Sequence, residues 1–275
     1  MAIIFNGKEY ALKKKLLLQS SSDKVREFGV IPHLATILIG DNPASKLYVD
    51  LKKKFIESLK CELDVYLLTQ KTNFSEIELL IKTLNEDETV HGIMVQLPLP
   101  SELGIEKAQI VELIKDEKDI DGLKENSKFL HPTSKAILEV LAMAIYETRQ
   151  EVITACVVGS NGMVGRPLVK ELKKLGYIVH ECNKDTQDLK EKTIGSDVVI
   201  SATGVMNLIT KDMITDGTIV IDAGSPNGDV ESDVESKASF ITPVPGGVGP
   251  VTITCLAENL IVAAQSTINS IRDAK

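Results

Sequence analysis

Ser45, Tyr48 and Lys52 stand at i, i+3 and i+7 in Asp41-Asn42-Pro43-Ala44-Ser45-Lys46-Leu47-Tyr48-Val49-Asp50-Leu51-Lys52. On a helix this spacing gathers a hydroxyl, a phenol and an amine, three groups able to exchange protons, on one face. Asn42 suits the cap and Pro43 the first helical position, where a missing N–H costs no bond. Lys53 and Lys54 turn away by about 100° per residue, so only Lys52 meets the tyrosine. Taken alone, the pattern favours an ordinary reading: Lys52-Lys53-Lys54 as a solvated basic face, Tyr48 as a half-buried packing residue.

Three more segments carry polar groups at places where ligands bind. In Val95-Gln96-Leu97-Pro98-Leu99-Pro100 an amide ends an apolar strand just before two prolines stop it, so Gln96 faces the carboxyl edge of a sheet. Asp119-Ile120-Asp121-Gly122 sets carboxylates on alternate residues; an Asp-Gly turn accounts for it, and a metal site would need more oxygen ligands. Thr242-Pro243-Val244-Pro245-Gly246-Gly247-Val248-Gly249-Pro250-Val251-Thr252 holds six Gly or Pro within the eight residues from 243 to 250. Such a loop is shaped rather than loose, and suits a ligand wall leading into a helix at Pro250.

Val157-Val158-Gly159-Ser160-Asn161-Gly162-Met163-Val164-Gly165 follows an apolar run and opens an amphipathic one, the setting of a phosphate-binding turn. Its glycines are spaced zero, three and six, not zero, two and five as in the common dinucleotide fingerprint. A plain strand-to-helix turn is nearly as good an account. Glu181 could accept from a ribose hydroxyl and Lys184 could neutralise a 2′-phosphate, so these two residues point to different cofactors. Ser201-Ala202-Thr203-Gly204 and Asp222-Ala223-Gly224 also fall just past strand ends.

The elements that must position these groups alternate. Strand-like runs cover His33 to Ile39, Leu63 to Leu68, Val90 to Val95, Val152 to Val158, Tyr177 to His180, Asp197 to Ser201 and Thr218 to Ile221. Amphipathic segments such as Ser75 to Asn85 and Met163 to Leu175 lie between them, predicting parallel sheets covered by helices. A long helix over Thr133 to Arg149 marks a domain boundary, and a last helix from about Pro250 to Ile271 crosses back, predicting a two-lobed α/β body with a cleft. The chain has 275 residues and a net charge of −8, which favours two domains and speaks against a nucleic-acid surface. Cys61, Cys156, Cys182 and Cys255 show no metal-ligand spacing and read as reduced thiols. The absence of a signal-peptide pattern or an apolar run of about 20 residues predicts a cytoplasmic protein with no membrane partner.

Four of these segments, in order, resemble the signatures of the bifunctional methylenetetrahydrofolate dehydrogenase/methenyltetrahydrofolate cyclohydrolase family. They are Gly40 to Ser45 with Tyr48-Val49 and Lys52, Val95 to Pro100, Lys118 to Gly122, and Ile241 to Pro250. The resemblance spans essentially the whole chain. It implies a three-layer α/β catalytic domain over 1–137, with helix 251–275 packing back onto it, and a Rossmann-like dinucleotide-binding domain over 138–250. By the same resemblance, Lys52 is the catalytic lysine, Gln96 contacts it, Tyr48 packs on the pterin and Asp121 anchors the pterin. Ser45, Pro245, Gly246, Gly247, Gly249 and Pro250 complete the folate site. NADP, with NAD as the alternative, is expected on Gly159, Ser160, Asn161, Gly162, Val164, Gly165, Asn183, Lys184, Ala202, Thr203, Gly204, Asp222, Gly224 and Thr252. Tetrahydrofolate one-carbon derivatives as substrates, a role in purine biosynthesis and a homodimer follow from it too.

The chain departs from the family pattern in three places. His131-Pro132-Thr133-Ser134-Lys135-Ala136 stands where the family has Pro-Cys-Thr-Pro-x-Gly. Ser160-Asn161 replaces a common Arg-Ser, and Asn183-Lys184-Asp185 replaces His-Ser-Arg, positions often used for a 2′-phosphate. A two-lobed shikimate- or amino-acid-type dehydrogenase would account for Lys52 but not for Pro243 to Pro250. A non-catalytic dinucleotide or folate binder would not account for the retained Lys52, Tyr48, Gln96 and Asp121.

Overall fold

The structure is a computed structural model that describes residues 2–125 and 127–273. In chain order its elements are β1 (Ile3–Ile4), α1 (Gly7–Glu27), β2 (His33–Ile39), α2 (Pro43–Glu57), β3 (Glu62–Leu68), α3 (Phe74–Glu86), β4 (Gly92–Val95) and α4 (Lys107–Val111). There follow α5 (Pro132–Thr148), β5 (Thr154–Val158), α6 (Gly165–Lys174), β6 (Ile178–Cys182), α7 (Leu189–Ile194), β7 (Val198–Ser201), β8 (Ile219–Asp222), β9 (Phe240–Ile241) and α8 (Val248–Asp273).

Two compact units result. One runs to Leu12 and resumes from His131 to Cys255; the other covers Lys13–Leu130 and continues from Leu256. The second unit holds a parallel sheet in the order β3-β2-β4. Its central strand β2 is buried almost throughout, as a strand covered on both faces must be. Leu34 and Met94 pack toward Ile56 and Leu59, while Ala35, Ile37 and Ile93 pack toward Ile77 and Ile81 of α3. This sheet between helical layers is the three-layer arrangement expected. The starts of its helices are chemically specified: Asn73 and Glu76 form a reciprocal capping box at α3.

The first unit carries a parallel sheet in the order β1-β9-β8-β7-β5-β6. Ala155 and Val157 pack with Ile137 and Leu141 of α5 and Leu168 of α6 on one face; Cys156 and Val158 pack with Ile209 and Val234 on the other. The expected boundary at 137/138 therefore differs from the observed division at 130/131: all of α5, from Pro132, belongs to this core. Residues up to Leu12 join it because β1 pairs with β9. At the far end, the break falls at 255/256 within α8, not at 250/251. Residues 274 and 275 of the expected last helix lie outside the described residues.

Other differences are local. The two-residue strands β1 and β9 are too short to show a period, and α1, α4 and α7 carry no pattern distinct enough to mark them. Strand β5 begins at Thr154, after Asp197 Oδ2 accepts from the amides of Ile153 (2.9 Å) and Thr154 (2.8 Å). Helix α8 opens at Val248, so Gly249 and Pro250 sit in its first turn, where proline forfeits no hydrogen bond. Contrary to the expectation of no such run, Val248–Ile268 is long and apolar enough by length and composition to cross a membrane. A 61% share of it is buried inside the protein, as in a core helix.

Candidate functional site

Helix α2 presents Ser45, Val49 and Ile56 inward, and Lys52 lies on the same stripe. Its first turn is fixed by Asn42, whose Oδ1 accepts from the Ser45 amide at 3.1 Å. The Lys52 amine, carried into the sheet, donates to Gln96 Oε1 at 3.1 Å and lies 3.3 Å from Met94 Sδ. Met94 and Gln96 are two residues apart at the end of β4, so they share one face. The Gln96 amide N–H donates to Ile37 O at 2.9 Å, continuing the ladder one residue beyond the strand. The side chain is oriented from its other end: Nε2 donates to Leu97 O at 2.6 Å, which leaves Oε1 for the lysine.

Burial pushes the Lys52 pKa below its ordinary value, and the negative charge of Asp121 opposes that shift. The amine is thereby moved toward partial neutrality, the condition for passing protons near neutral pH. Asp121 projects from a turn that Asp119 builds. The buried Asp119 carboxylate accepts from the amides of Leu123 (3.2 Å) and Lys124 (3.1 Å), and its carbonyl accepts from Gly122 N and Ser127 Oγ. Burial pushes the Asp119 carboxyl up, against the pull of those amides. Lys118 is engaged elsewhere: its amine donates to the carbonyls of Leu84, Asn85 and Asp87, closing the end of α3. Tyr48 is 41% exposed, with ring surface available to a ligand, whereas Ser45 is 3% exposed and its hydroxyl has no hydrogen-bond partner among the described residues.

The glycine turn sits where the other sheet changes direction: β5 has β6 on one side and β7 on the other, the switch point at which open α/β sheets bind ligands. Gly159 takes φ 90°, and the amides of Gly159 and Ser160 donate to Cys182 O at 2.9 and 3.0 Å. A Cβ on Gly159 would lie 2.6 Å from Ala202 O; one on Gly165 would lie 2.2 Å from Gly159 O. Only glycine lets turn, helix and neighbouring loop approach this closely. Asn161 and Gly162 are exposed around the turn, Val164 precedes α6 with its carbonyl held by Ser134 Oγ at 2.8 Å, and the Ser160 hydroxyl is buried.

At the end of β6, Glu181 pairs with Lys173 at 2.5 Å. Asn183 builds its own turn, Oδ1 accepting from Asp185 N at 2.8 Å, and Lys184 is exposed. The Asp222 carboxylate, expected at the cofactor, is engaged with its own loop: Oδ1 accepts from Gly224 N (2.8 Å) and Asp229 N (3.1 Å), Oδ2 from Val230 N (3.0 Å). Burial pushes this carboxyl up. Thr252 Oγ1 donates within its own helix to Val248 O at 3.2 Å. The Pro245 to Pro250 segment is laid on the start of α1, with Gly7 N donating to Gly246 O at 3.0 Å and Gly247 N to Pro243 O at 2.8 Å.

The structure thus brings Lys52, Gln96 and Asp121 together in one unit, and the glycine turn, Ala202 to Gly204 and the Pro245 to Pro250 loop into the other. Sequence reasoning missed Met94 and Asp229, and it read Asp119 as part of a turn, which its hydrogen bonds build. Met94 was findable, being one pleat before Gln96.

The comparisons with known proteins fall on both units. "Tetrahydrofolate dehydrogenase/cyclohydrolase, catalytic domain" matches residues 5–121, and the NAD(P)-binding domain of the same family matches 131–268. The bifunctional protein FolD of Campylobacter jejuni (strain 81-176) is 39% identical over 284 residues, covering 97% of this chain and 99% of that protein. The crystal structure of the bifunctional FolD methylenetetrahydrofolate dehydrogenase/cyclohydrolase from Campylobacter jejuni aligns with a TM-score of 0.90 at 38% identity, covering 97% and 99% of the two chains. The Trypanosoma brucei enzyme, complexed with NADP and an inhibitor, aligns with a TM-score of 0.88 at 28% identity over 97% and 98%. Matches to both domains of one family leave the shikimate- or amino-acid-type dehydrogenase unfavoured. The chain belongs to the tetrahydrofolate dehydrogenase/cyclohydrolase family.

Proposed function

We propose that this protein oxidises 5,10-methylenetetrahydrofolate to 5,10-methenyltetrahydrofolate with NADP and then hydrolyses the product to 10-formyltetrahydrofolate. The carrying observation is the buried Lys52 amine, 3.1 Å from Gln96 Oε1 and held below its ordinary pKa, in the part of the chain matched by the catalytic domain.

The two steps ask different things of the residues. Removing hydride from the methylene carbon leaves a cation shared by two adjacent nitrogens, so that step needs alignment and no dedicated acid. NADP, when bound, supplies the hydride acceptor. The Gly159 to Gly165 turn suits a pyrophosphate by its place, between the end of β5 and the start of α6 at the switch point of the sheet, with glycines letting the backbone close up there. Asn161, Gly162 and Val164 would border it, and Lys184 supplies the positive charge suited to a 2′-phosphate. Thr203, Gly204 and Gly224 line the neighbouring strand ends.

Hydrolysis needs general acid/base chemistry. A water attacks the methenyl carbon and gives up a proton to neutral Lys52. The resulting ammonium returns a proton to N5 as the carbon–N5 bond breaks, and the hydroxyl proton of the adduct is released to solvent, leaving the formyl group on N10. Gln96 aims the amine, Asp121 sets its charge and anchors the pterin, Tyr48 packs on the pterin, and Ser45 borders the site. The Pro245 to Pro250 loop is assigned to folate. NADP over NAD, a cytoplasmic homodimer and a supply of one-carbon units to purine biosynthesis belong to the same reading. Its test is to supply 5,10-methylenetetrahydrofolate with NADP or NAD, following reduced nicotinamide and methenyltetrahydrofolate together. Reduced NADP without methenyl accumulation supports both activities; a strong preference for NAD refutes the cofactor assignment. A solution mass near that of one 30.0 kDa chain refutes the dimer.

A further inference from the structure

A carboxylate outside the assigned residues lies at the centre of the strand-end loops. Asp229 is fully buried, and its Oδ2 accepts three hydrogen bonds: from Ser201 Oγ at 2.8 Å, Thr203 N at 2.7 Å and Thr203 Oγ1 at 2.8 Å. Its own amide donates to Asp222 Oδ1 at 3.1 Å, and its carbonyl accepts from Ile209 N at 2.9 Å. The loop after β7 and the loop after β8 are therefore joined through one side chain. Thr203 passes the constraint on: its hydroxyl also accepts from Val205 N at 3.1 Å, and its methyl would lie 3.2 Å from a Cβ built on Gly159. Glycine at 224 is required by the same device, since a Cβ there would fall 2.3 Å from Asp229 Oδ1.

We infer that Asp229 is the positioning residue of the nucleotide site, its carboxylate tying the two strand-end loops together and holding Thr203–Gly204 against the Gly159 turn. A buried carboxylate is costly unless hydrogen-bonded, and here the donors are two hydroxyls and one amide that no helix or strand ladder satisfies. The carboxylate touches no reacting atom; it fixes backbone that does the binding. The inference rests on the dehydrogenase reading.

The bifunctional reaction supplies an internal control, because hydrolysis of added methenyltetrahydrofolate uses no nucleotide and calls on Lys52 in the other unit. Asp229→Asn keeps the shape and an oxygen at the Oδ2 position, but it leaves the three donors a neutral amide acceptor and buries an NH2 group where Oδ1 has no hydrogen-bond partner among the described residues. Its NADP KM should rise about tenfold, the scale of losing one charge-assisted hydrogen bond, with the cyclohydrolase rate within about twofold of the parent's. Ser201→Ala, which removes a single donor and leaves the carboxylate, should give a smaller rise of the same kind. If Asp229→Asn does not fold, the Ser201→Ala result decides. The inference is overturned if these variants keep the parent's NADP KM, or if both activities fall together in step with the melting temperature. If the unaltered protein neither binds nor reduces NADP or NAD, the dehydrogenase reading itself falls, a result distinct from either.

Discussion

Gln96→Glu places a negative charge where a neutral oxygen now sits 3.1 Å from the Lys52 amine. At that separation Coulomb's law gives about 5 kcal/mol at an effective dielectric of about 20 and about 1 kcal/mol in bulk water. On the conversion of about 1.36 kcal/mol per unit, the lysine pKa rises by roughly one to four units. The new carboxylate must itself be desolvated, and its second oxygen faces the Leu97 carbonyl that Gln96 Nε2 now satisfies at 2.6 Å. Both effects oppose its ionisation, so the lower part of the range, about one to two units, is expected. The sign follows from the parent, in which burial holds Lys52 below its ordinary value. Raising that pKa keeps the amine protonated at neutral pH and removes the base about tenfold per unit. The assay is the decay of methenyltetrahydrofolate absorbance across a pH series. The limb reporting deprotonation should move to higher pH, with the neutral-pH rate down about tenfold to a hundredfold. A profile superimposable on the parent's would refute the placing of Gln96 Oε1 against the amine that carries the proton.

Gly165→Ala sets a Cβ 2.2 Å from the Gly159 carbonyl oxygen, an overlap costing about 1–3 kcal/mol. The NADP KM should rise while methenyltetrahydrofolate hydrolysis persists, and an unchanged KM would contradict the phosphate-turn assignment. Lys52→Met should raise the melting temperature at neutral pH, because it relieves a buried ammonium. With its folded pKa below the unfolded value of about 10.4, the unfolded chain binds the extra proton between the two, so the gain shrinks as pH climbs through that window. Burial first, then the charges of His33 and Lys118, hold His91 down to about 4. Stability should therefore fall between about pH 6.5 and 4, by at most about 3 kcal/mol, and His91→Gln should flatten this acid limb in pH-dependent melts.

The sequence made the repeating units plain because their signals are local. A strand covered on both faces, such as His33–Ile39, is a run of apolar residues, and helix starts such as Asn42-Pro43 carry their caps with them. Lys52 and Gln96 were legible singly, one by helical spacing and the other by its place before Pro98. That they meet is a product of packing α2 against β2 and β3, from where the Lys52 side chain reaches the end of β4, and no spacing records it. The two-residue strands β1 and β9 show the same limit: their pairing joins residues at opposite ends of the chain, with no periodicity to announce it. Asp222 was read as a cofactor ligand from its place past a strand end, yet its oxygens close the loop it begins. Asp229 drew no notice because its partners, Ser201 and Thr203, lie in a segment far back in the chain. The unit boundary was misplaced into α5 because a helix looks alike from either core; only the packing of Ala136 and Ile137 with Phe240 assigns it.

The role proposed for Lys52 is proton carrier of hydrolysis and not of hydride transfer. Lys52→Met, supplied with 5,10-methylenetetrahydrofolate and NADP, should still reduce the nucleotide while methenyltetrahydrofolate accumulates without enzymatic hydrolysis. Hydrolysis at the unaltered rate by the folded variant would contradict it.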